Sequence, residues 1–205
     1  MRRMMTRLLA GLALVAAVFG AAIAQTAPKT ETAIFAGGCF WCTEADFDKV
    51  PGVVSTTSGF IGGKVANPSY QQVTTGTTGH TEAVEIVFDP AKVTYQQLLD
   101  IFWRNHDPLA KDRQFCDRGD MYRPGIFFQG DEQRRLAEAS KQMVQQRFAP
   151  RMVHTEITKA GPFYKAEDYH QDFHEKNPVR YKLYRFNCGR DQRLEELWGK
   201  AEKSS

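Results

Sequence analysis

Residues 32–47 read TAIFAGGCFWCTEADF: an apolar run, two glycines and then a segment of helical composition. The pattern predicts a strand that ends at Gly37 and Gly38 and is followed by a helix at about 40–49. Cys39 then lies at the N-terminus of this helix, where unpaired backbone N–H groups and the helix dipole stabilise an anion. The sequence therefore predicts a thiolate at this position, and with it a catalytic cysteine.

Two aromatic residues, Phe40 and Trp41, follow the cysteine directly. Aromatic side chains often line small-molecule sites because they offer a large apolar area with few rotatable bonds. We therefore expect both side chains to be exposed beside Cys39 and to form an apolar seat for a small organic substrate.

The rest of the chain alternates between strand and helix patterns. Strands are predicted at 32–36, 53–60, 80–90, 125–128 and 153–159, helices at 40–49, after Thr94, at 131–148, 166–176 and 191–198, and long polar loops at 59–79 and 107–122. Leu136, Met143 and Val144 are expected on the inner face of the longest helix. This order favours an α+β fold, a two-layer sandwich with a ferredoxin-like mixed sheet, flanking helices and an irregular C-terminal tail that carries Cys188 on a flexible loop.

The N-terminus has the three-part pattern of a secretory signal peptide. Basic residues at Arg2, Arg3 and Arg7 precede the apolar stretch 8–21, and the small residues of Ala22-Ile23-Ala24 favour cleavage before Gln25. A retained membrane anchor is the alternative, although the apolar stretch is short for a bilayer span. We expect an exported protein, in the bacterial periplasm, with residues 1–24 removed.

The charge of the remaining chain excludes some partners. The full chain has a formal net charge of +3, and residues 1–24 contribute three arginines and no acidic residue, so the remainder is formally neutral. It has neither a basic stripe for nucleic acid nor a polybasic patch for a membrane surface. We expect residues 25–31 to be a polar leader and residues 32–205 to form a single domain and a monomer.

Four cysteines, Cys39, Cys42, Cys116 and Cys188, lie after the predicted cleavage site. In an oxidising compartment they could form two structural disulfides, and a zinc site is a further alternative, although only one pair is closely spaced. The position of Cys39 after two glycines and before a helix favours redox chemistry over both.

Three further side chains could assist a reactive thiol. Glu82 lies where the long loop enters a buried strand, so desolvation would raise its pKa and make it a proton donor. The alternative is a solvated glutamate at a strand end. Tyr70 and Tyr122 offer phenolic donors from the loops, or are packed residues with surface hydroxyls.

A series of motifs resembles the A-type peptide methionine sulfoxide reductases. Each motif is short, but together they occur in unbroken order over nearly the whole chain after the signal peptide. They are GCFW at 38–41, GG at 62–63, Tyr70, GHTEAV at 79–84, FDP at 88–90, HDP at 106–108, DxGxxYR at 117–123, AEDYHQ at 166–171 and NP at 177–178.

The resemblance implies a mechanism for these residues. The Cys39 thiolate would attack the sulfoxide sulfur while Glu82 protonates the oxygen, and Tyr70 and Tyr122 would hydrogen-bond that oxygen as charge develops. Methionine leaves, and Cys39 remains as a sulfenic acid that a second thiol converts into a disulfide.

The resemblance also implies the substrate and the partners. Phe40 and Trp41 would cradle the methyl group on sulfur, Asp117 would orient the pocket, and a chiral pocket would accept only the S epimer of free or protein-bound methionine sulfoxide. No metal or organic cofactor is implied. The expected partners are oxidised proteins and peptides and a thioredoxin-like reductant, for which dithiothreitol can substitute.

The second thiol departs from the family pattern. Many relatives carry a cysteine directly after Asn-Pro-x-x-Tyr, but Lys182 follows Tyr181 here. We predict that Cys188 resolves the sulfenic acid, with Cys42 and Cys116 as the alternatives.

Two other functions remain open from the sequence. The Cys39–Cys42 pair could belong to an exported thiol–disulfide oxidoreductase of thioredoxin type, although Glu82 and the two tyrosines would then have no role. A binding module stapled by disulfides would instead hold four oxidised, unreactive cysteines.

Overall fold

The computed structural model describes residues 29–200. The predicted signal peptide and most of the leader at 25–31 lie outside the described residues, and both remain predictions. The strands are β1 Glu31–Ala36, β2 Val53–Ile61, β3 Thr81–Phe88, β4 Arg113–Gln114, β5 Asp117–Arg118, β6 Gly125–Phe128, β7 Glu156–Lys159 and β8 Tyr164–Lys165. The helices are α1 Phe40–Phe47, α2 Tyr70–Thr74, α3 Tyr95–Arg104, α4 Asp131–Phe148, α5 Phe173–Lys176, α6 Pro178–Asn187 and α7 Arg190–Trp198.

Six strands form one mixed sheet in the order β7-β6-β1-β3-β2-β8. Strand β1 pairs antiparallel with β3 and β6, β2 pairs antiparallel with β3 and β8, and β6 pairs parallel with β7. The four central strands with α1 and α3 follow the β-α-β-β-α-β path of a ferredoxin-like fold. The predicted α+β class with a mixed sheet is confirmed.

An aromatic core joins the sheet to its helices. Phe35 of β1 stacks on Phe102 of α3 with ring centroids 4.8 Å apart, and it also contacts Phe47 of α1. Trp103 is buried beside α4 and donates its indole N–H to Ser140 Oγ at 2.9 Å. The predicted helix after Thr94 is present, and the Thr94 side chain caps it in a reciprocal capping box.

Three sequence expectations about helices and loops are wrong in detail. Met143 is 57% exposed rather than on the inner face of α4. The predicted loop at 59–79 contains α2, which Ser69 caps, and the loop at 107–122 contains the β4–β5 hairpin and a short 3₁₀ turn. These pieces are too short for a hydrophobic period to reveal them.

The C-terminal segment is more regular than expected. The predicted helix at 166–176 is a 3₁₀ turn followed by the one-turn α5, because Asp172 adopts a left-handed conformation with φ of +54°. Pro178 begins α6 rather than ending a helix, since the first position of a helix needs no N–H donor. Helix α6 therefore lies where an irregular segment was expected, whereas α7 confirms the predicted helix at 191–198. Within residues 29–200, no helix is both long and apolar enough for a membrane span.

Candidate active site

Cys39 lies at the start of α1, as the sequence predicts. It is the N-cap residue, and its carbonyl oxygen accepts hydrogen bonds from the backbone N–H groups of Cys42 (3.1 Å) and Thr43 (3.3 Å). The turn before it requires glycine at position 38: Gly38 has φ of +86°, and a Cβ there would stand 2.4 Å from the Gln114 side chain. Strand, turn and helix together fix the position of the thiol.

The thiols of Cys39 and Cys42 are buried and in hydrogen-bonding contact. Burial, the hydrogen bond with Cys42 and the nearby Glu82 carboxyl raise the pKa of Cys39 well above its usual value. The expected resting thiolate at Cys39 is therefore wrong, because desolvation of the sulfur outweighs the helix dipole. The hydrogen bond from Cys39 lowers the pKa of Cys42 to about 7, with burial opposing and with Arg190 and Arg185 assisting.

Glu82 lies on β3 and is buried against the start of α1. Its Oε2 accepts a hydrogen bond of 2.9 Å from the backbone N–H of Phe40, the residue after Cys39. Burial raises the pKa of Glu82 to about 8, although the hydrogen bond from Phe40 opposes the rise. The side chain is 1% exposed, so the alternative of a solvated strand-end glutamate is wrong. It is predominantly a neutral acid at pH 7.

The predicted tyrosines face the same site. Tyr70, at the start of α2, and Tyr122, in the 3₁₀ turn after β5, both lie within electrostatic range of Cys39, Glu82 and Asp117. Burial, followed by these negative charges, raises the pKa of Tyr70 to about 12 and raises that of Tyr122 further. Both hydroxyls therefore remain protonated donors. The fold brings together the five polar side chains that the sequence singles out.

The two aromatic residues after Cys39 differ in their surroundings. Phe40 is 1% exposed and packs against the rings of Phe60 and His170, so the expectation that it is exposed is wrong. Trp41 is partly buried, stacks on Phe173 with ring centroids 3.7 Å apart and donates its indole N–H to His170 Nδ1 at 3.0 Å. The segment after β8 covers the first turn of α1, which hydropathy along the chain does not reveal. His170 lies in the AEDYHQ motif, but its contact with Trp41 is visible only in the structure.

Tyr184 of α6 is a site residue that sequence reasoning missed. Its hydroxyl donates a hydrogen bond to Asp117 Oδ2 and lies in hydrogen-bonding contact with the Cys39 thiol, where it favours the thiolate. Burial raises the pKa of Asp117. When Asp117 is protonated, the Tyr184 hydroxyl is free to donate to the sulfur instead. Its ring packs edge-on against Trp41.

We predict that Tyr184→Phe makes the Cys39 thiol harder to ionise. Removal of a hydrogen bond to a charged sulfur should raise the pKa of Cys39 by about one unit. The rate of iodoacetamide alkylation at Cys39, followed against pH by peptide mass spectrometry, measures this shift. Tyr169→Phe, an exposed tyrosine, is the control, and an unchanged alkylation profile in Tyr184→Phe would contradict the assigned contact.

The other two cysteines form a disulfide between Cys116 and Cys188. Cys188 ends α6 rather than lying on a flexible loop, and Cys116 lies in the hairpin loop directly before Asp117. Cys39 and Cys42 are free. This state contradicts a module with four oxidised cysteines and the alternative of two structural disulfides. The pairing joins residues 72 positions apart, which sequence spacing alone does not determine.

Among residues 29–200, two groups of side chains each bring three potential metal ligands within 4.8 Å of one another. The first group is Cys116, Asp117 and Cys188, in which the two cysteine sulfurs are bonded to each other. The second group, Glu44, Asp48 and His174, lies toward the C-terminal end of α1. There the Glu44 carboxylate accepts a hydrogen bond from the Asp172 N–H at 2.9 Å. The second group thus joins α1 to α5.

The paired thiols define the class of chemistry. Two thiols in contact can together give up two electrons and become joined as a disulfide. A buried neutral acid beside them can protonate the oxygen that leaves a substrate. The fold and the site are therefore those of a thiol-dependent oxidoreductase.

Sequence comparison narrows this class. Residues 31–202 match the family model described as peptide methionine sulfoxide reductase. Peptide methionine sulfoxide reductase MsrA of Limosilactobacillus reuteri is 52% identical over 170 residues, which are 82% of this chain and 97% of the relative. The chain belongs to the peptide methionine sulfoxide reductase family, of the peptide-methionine (S)-S-oxide reductase type. This family membership contradicts the alternative that the chain is a thiol–disulfide oxidoreductase of thioredoxin type.

Solved structures share the fold. Methionine sulfoxide reductase A of Corynebacterium diphtheriae is 38% identical, with a TM-score of 0.71 over 75% of this chain and 78% of that chain. Saccharomyces cerevisiae Mxr1 in its complex with Trx2 is 22% identical, with a TM-score of 0.51 over 71% of this chain and 85% of that chain. The second comparison supports the fold alone.

Proposed function

We propose that Cys39 and Glu82 together carry the reduction of methionine S-sulfoxide. The main support for this proposal is the hydrogen bond between the Phe40 N–H and Glu82 Oε2. It holds the Glu82 carboxyl beside Phe40, the residue that follows Cys39. Oε2 is the accepting oxygen, so the proton of the neutral carboxyl resides on Oε1 and is available to a substrate oxygen.

In the proposed reaction, the Cys39 sulfur attacks the sulfoxide sulfur. The Cys42 thiolate, in contact with Cys39, accepts the Cys39 proton, and Glu82 donates a proton to the sulfoxide oxygen. Tyr70 and Tyr122 donate hydrogen bonds to the same oxygen as negative charge develops. The net step converts the Cys39 thiol and the sulfoxide into a sulfenic acid and methionine.

The side chains around the sulfur would set specificity. Trp41 would form the apolar wall for the methyl group, with Phe40 buried behind it, and Asp117 would orient the pocket through Tyr184. A chiral sulfur held between an acid on one side and an aromatic wall on the other fits in one configuration only.

This function is tested with separated epimers. We expect the reduced enzyme to release methionine from the S epimer of a methionine-sulfoxide peptide and not from the R epimer, with dithiothreitol as reductant. Equal turnover of both epimers, or turnover of neither, would overturn the proposed site chemistry.

We further propose that Cys42 rather than Cys188 forms the first disulfide. Its sulfur already contacts Cys39, whereas Cys188 is held by Cys116. The Cys42 thiolate displaces hydroxide from the Cys39 sulfenic acid and water is formed. A reduced Cys116–Cys188 pair then exchanges with the Cys39–Cys42 disulfide, and the electrons pass outward. The described state, with Cys39 and Cys42 reduced and the other pair oxidised, is the end point of such a relay.

A single turnover with one equivalent of substrate distinguishes the order of thiols. We expect Cys42→Ser to release one methionine and to retain a sulfenic acid on Cys39 that dimedone traps. Cys188→Ser should accumulate the Cys39–Cys42 disulfide, seen by peptide mapping of the non-reduced protein. A Cys39–Cys188 disulfide formed at the wild-type rate in Cys42→Ser would instead return the resolving role to Cys188.

We also propose the setting of this reaction. The signal-peptide pattern of residues 1–24 supports export to the periplasm, where the enzyme would repair oxidised methionine in exported proteins. A thioredoxin-like protein would supply the electrons, in line with the complex of Mxr1 with Trx2. Cell fractionation and N-terminal sequencing test the export, with Gln25 as the expected first residue.

A further inference from the structure

The outward side of α6 is apolar. Val179, Leu183 and Phe186 are 72%, 58% and 81% exposed. They occupy positions i, i+4 and i+7, so they lie along one side of α6 and form a stripe that runs along the helix. We call these three residues the α6 stripe. Apolar side chains exposed in a row mark a surface that another molecule covers.

The opposite side of the same helix faces the active site. Tyr184 contacts Cys39, and Arg185 pairs with the buried Asp46 at 3.1 Å. The usual arrangement of a surface helix, with an apolar inner side and a polar outer side, is therefore reversed in α6. The polar inner side is explained by the site beneath it, whereas nothing within residues 29–200 covers the apolar outer side.

The α6 stripe leads to the disulfide. Phe186 lies two residues before Cys188, which ends the helix. Cys188 is partly buried, and its partner Cys116 is exposed, so a sulfur of this bond is open to attack from solvent. A thiolate that attacks Cys116 belongs to a molecule whose body must rest on the surface around the bond, and the α6 stripe is part of that surface.

The exposed charges on α6 beside the disulfide are basic, whereas the β4–β5 hairpin carries Asp117 next to Cys116 as well as arginines. Helix α6 exposes Arg180 and Lys182 and carries no acidic residue, while Arg185 is already paired with Asp46 and Asp191. The β4–β5 hairpin that carries Cys116 adds the exposed Arg113 and Arg118. A partner with an apolar contact patch and acidic residues opposite Arg180 and Lys182 therefore complements the α6 surface.

We propose that the α6 stripe is the docking surface for a dithiol reductant of thioredoxin type. This inference rests on the proposed function, because it assumes that the Cys116–Cys188 disulfide is the end of the relay. The reductant's thiolate attacks Cys116, the Cys188 thiolate leaves and takes up a proton, and a mixed disulfide forms. The second thiol of the reductant then displaces Cys116, so this protein gains two thiols and the reductant becomes a disulfide.

The experiment compares a protein reductant with a small one. We expect Leu183→Ser/Phe186→Ser to raise the KM for a reduced bacterial thioredoxin by about tenfold or more, because removal of central apolar anchors weakens an interface. Turnover with dithiothreitol should remain at the wild-type rate, since this small reductant needs no docking surface. The assay follows NADPH oxidation through thioredoxin reductase, with a methionine-S-sulfoxide peptide in excess.

Val54→Ser/Met152→Ser is the matched control, since both residues are exposed apolar side chains outside α6. It should leave the KM for thioredoxin unchanged. Three results would each overturn the proposed docking surface. The KM for thioredoxin is unchanged in the α6 variant, this KM rises equally in the control variant, or thioredoxin does not reduce the wild-type enzyme. If the wild-type enzyme also fails with dithiothreitol, the proposed function itself is wrong, so the two failures are distinguishable.

Discussion

Cys39→Ser should abolish reduction of the S epimer of a methionine-sulfoxide peptide, with a loss on the order of 10³-fold or more. A serine hydroxyl in the same buried position at the start of α1 has a far higher pKa than the thiol, and it cannot pass through a sulfenic acid and a disulfide. The measurement is methionine released per enzyme with dithiothreitol, quantified by chromatography.

Cys116→Ser is the matched control for this variant. It removes a sulfur from an exposed position, and dithiothreitol can reduce the Cys39–Cys42 disulfide without it. We expect Cys116→Ser to retain most of the dithiothreitol-linked rate. Residual turnover in Cys39→Ser at a similar rate would show that another cysteine is the nucleophile.

Glu82→Gln should lower kcat for the S epimer by about 10²- to 10⁴-fold, since the amide cannot donate the proton that the sulfoxide oxygen requires. The wild-type rate should fall as pH rises past about 8, where the carboxyl loses its proton. The residual rate of Glu82→Gln should lack this decline. A wild-type profile that stays flat from pH 7 to pH 9.5 would contradict the role of Glu82 as the acid.

The same variant should change how stability depends on pH. Because burial raises the pKa of Glu82 from 4.5 to about 8 in the folded state, its contribution to stability is complete below about pH 4.5 and is lost as pH rises through 8. That loss amounts to as much as ~5 kcal/mol in the free energy of unfolding. Urea unfolding of Glu82→Gln should show a smaller decline over this range than the wild type, which also verifies that the variant is folded.

The local parts of the active site could be predicted from the sequence. Two glycines between an apolar run and a helical segment place Cys39 at a helix N-terminus, because backbone conformation there depends on neighbouring residues. Glu82 was predicted to be a desolvated acid because it adjoins a run of buried strand residues, and the structure agrees. The order of strands and helices likewise gave the α+β class.

Contacts between distant segments could not be predicted in this way. Tyr184 lies in a segment whose helical start at Pro178 resembles a helix end, so neither its helix nor its contact with Cys39 was expected. Two further features depend on segments that are far apart in the sequence and meet beside α1. They are the Cys116–Cys188 disulfide and the burial of Phe40 under the segment after β8.

The sequence by itself predicted the candidate site residues and determined the family and the class of fold, because short motifs and hydrophobic periods are properties of neighbouring residues. Only the tertiary structure decided which sulfur holds its proton. A helix N-terminus favours a thiolate at Cys39, but burial under the folded chain, the hydrogen bond with Cys42 on the same helix and the Glu82 carboxyl from β3 raise the pKa of Cys39. Desolvation and charge depend on everything within a few ångströms of an atom in space, whereas sequence patterns report only what lies near it along the chain.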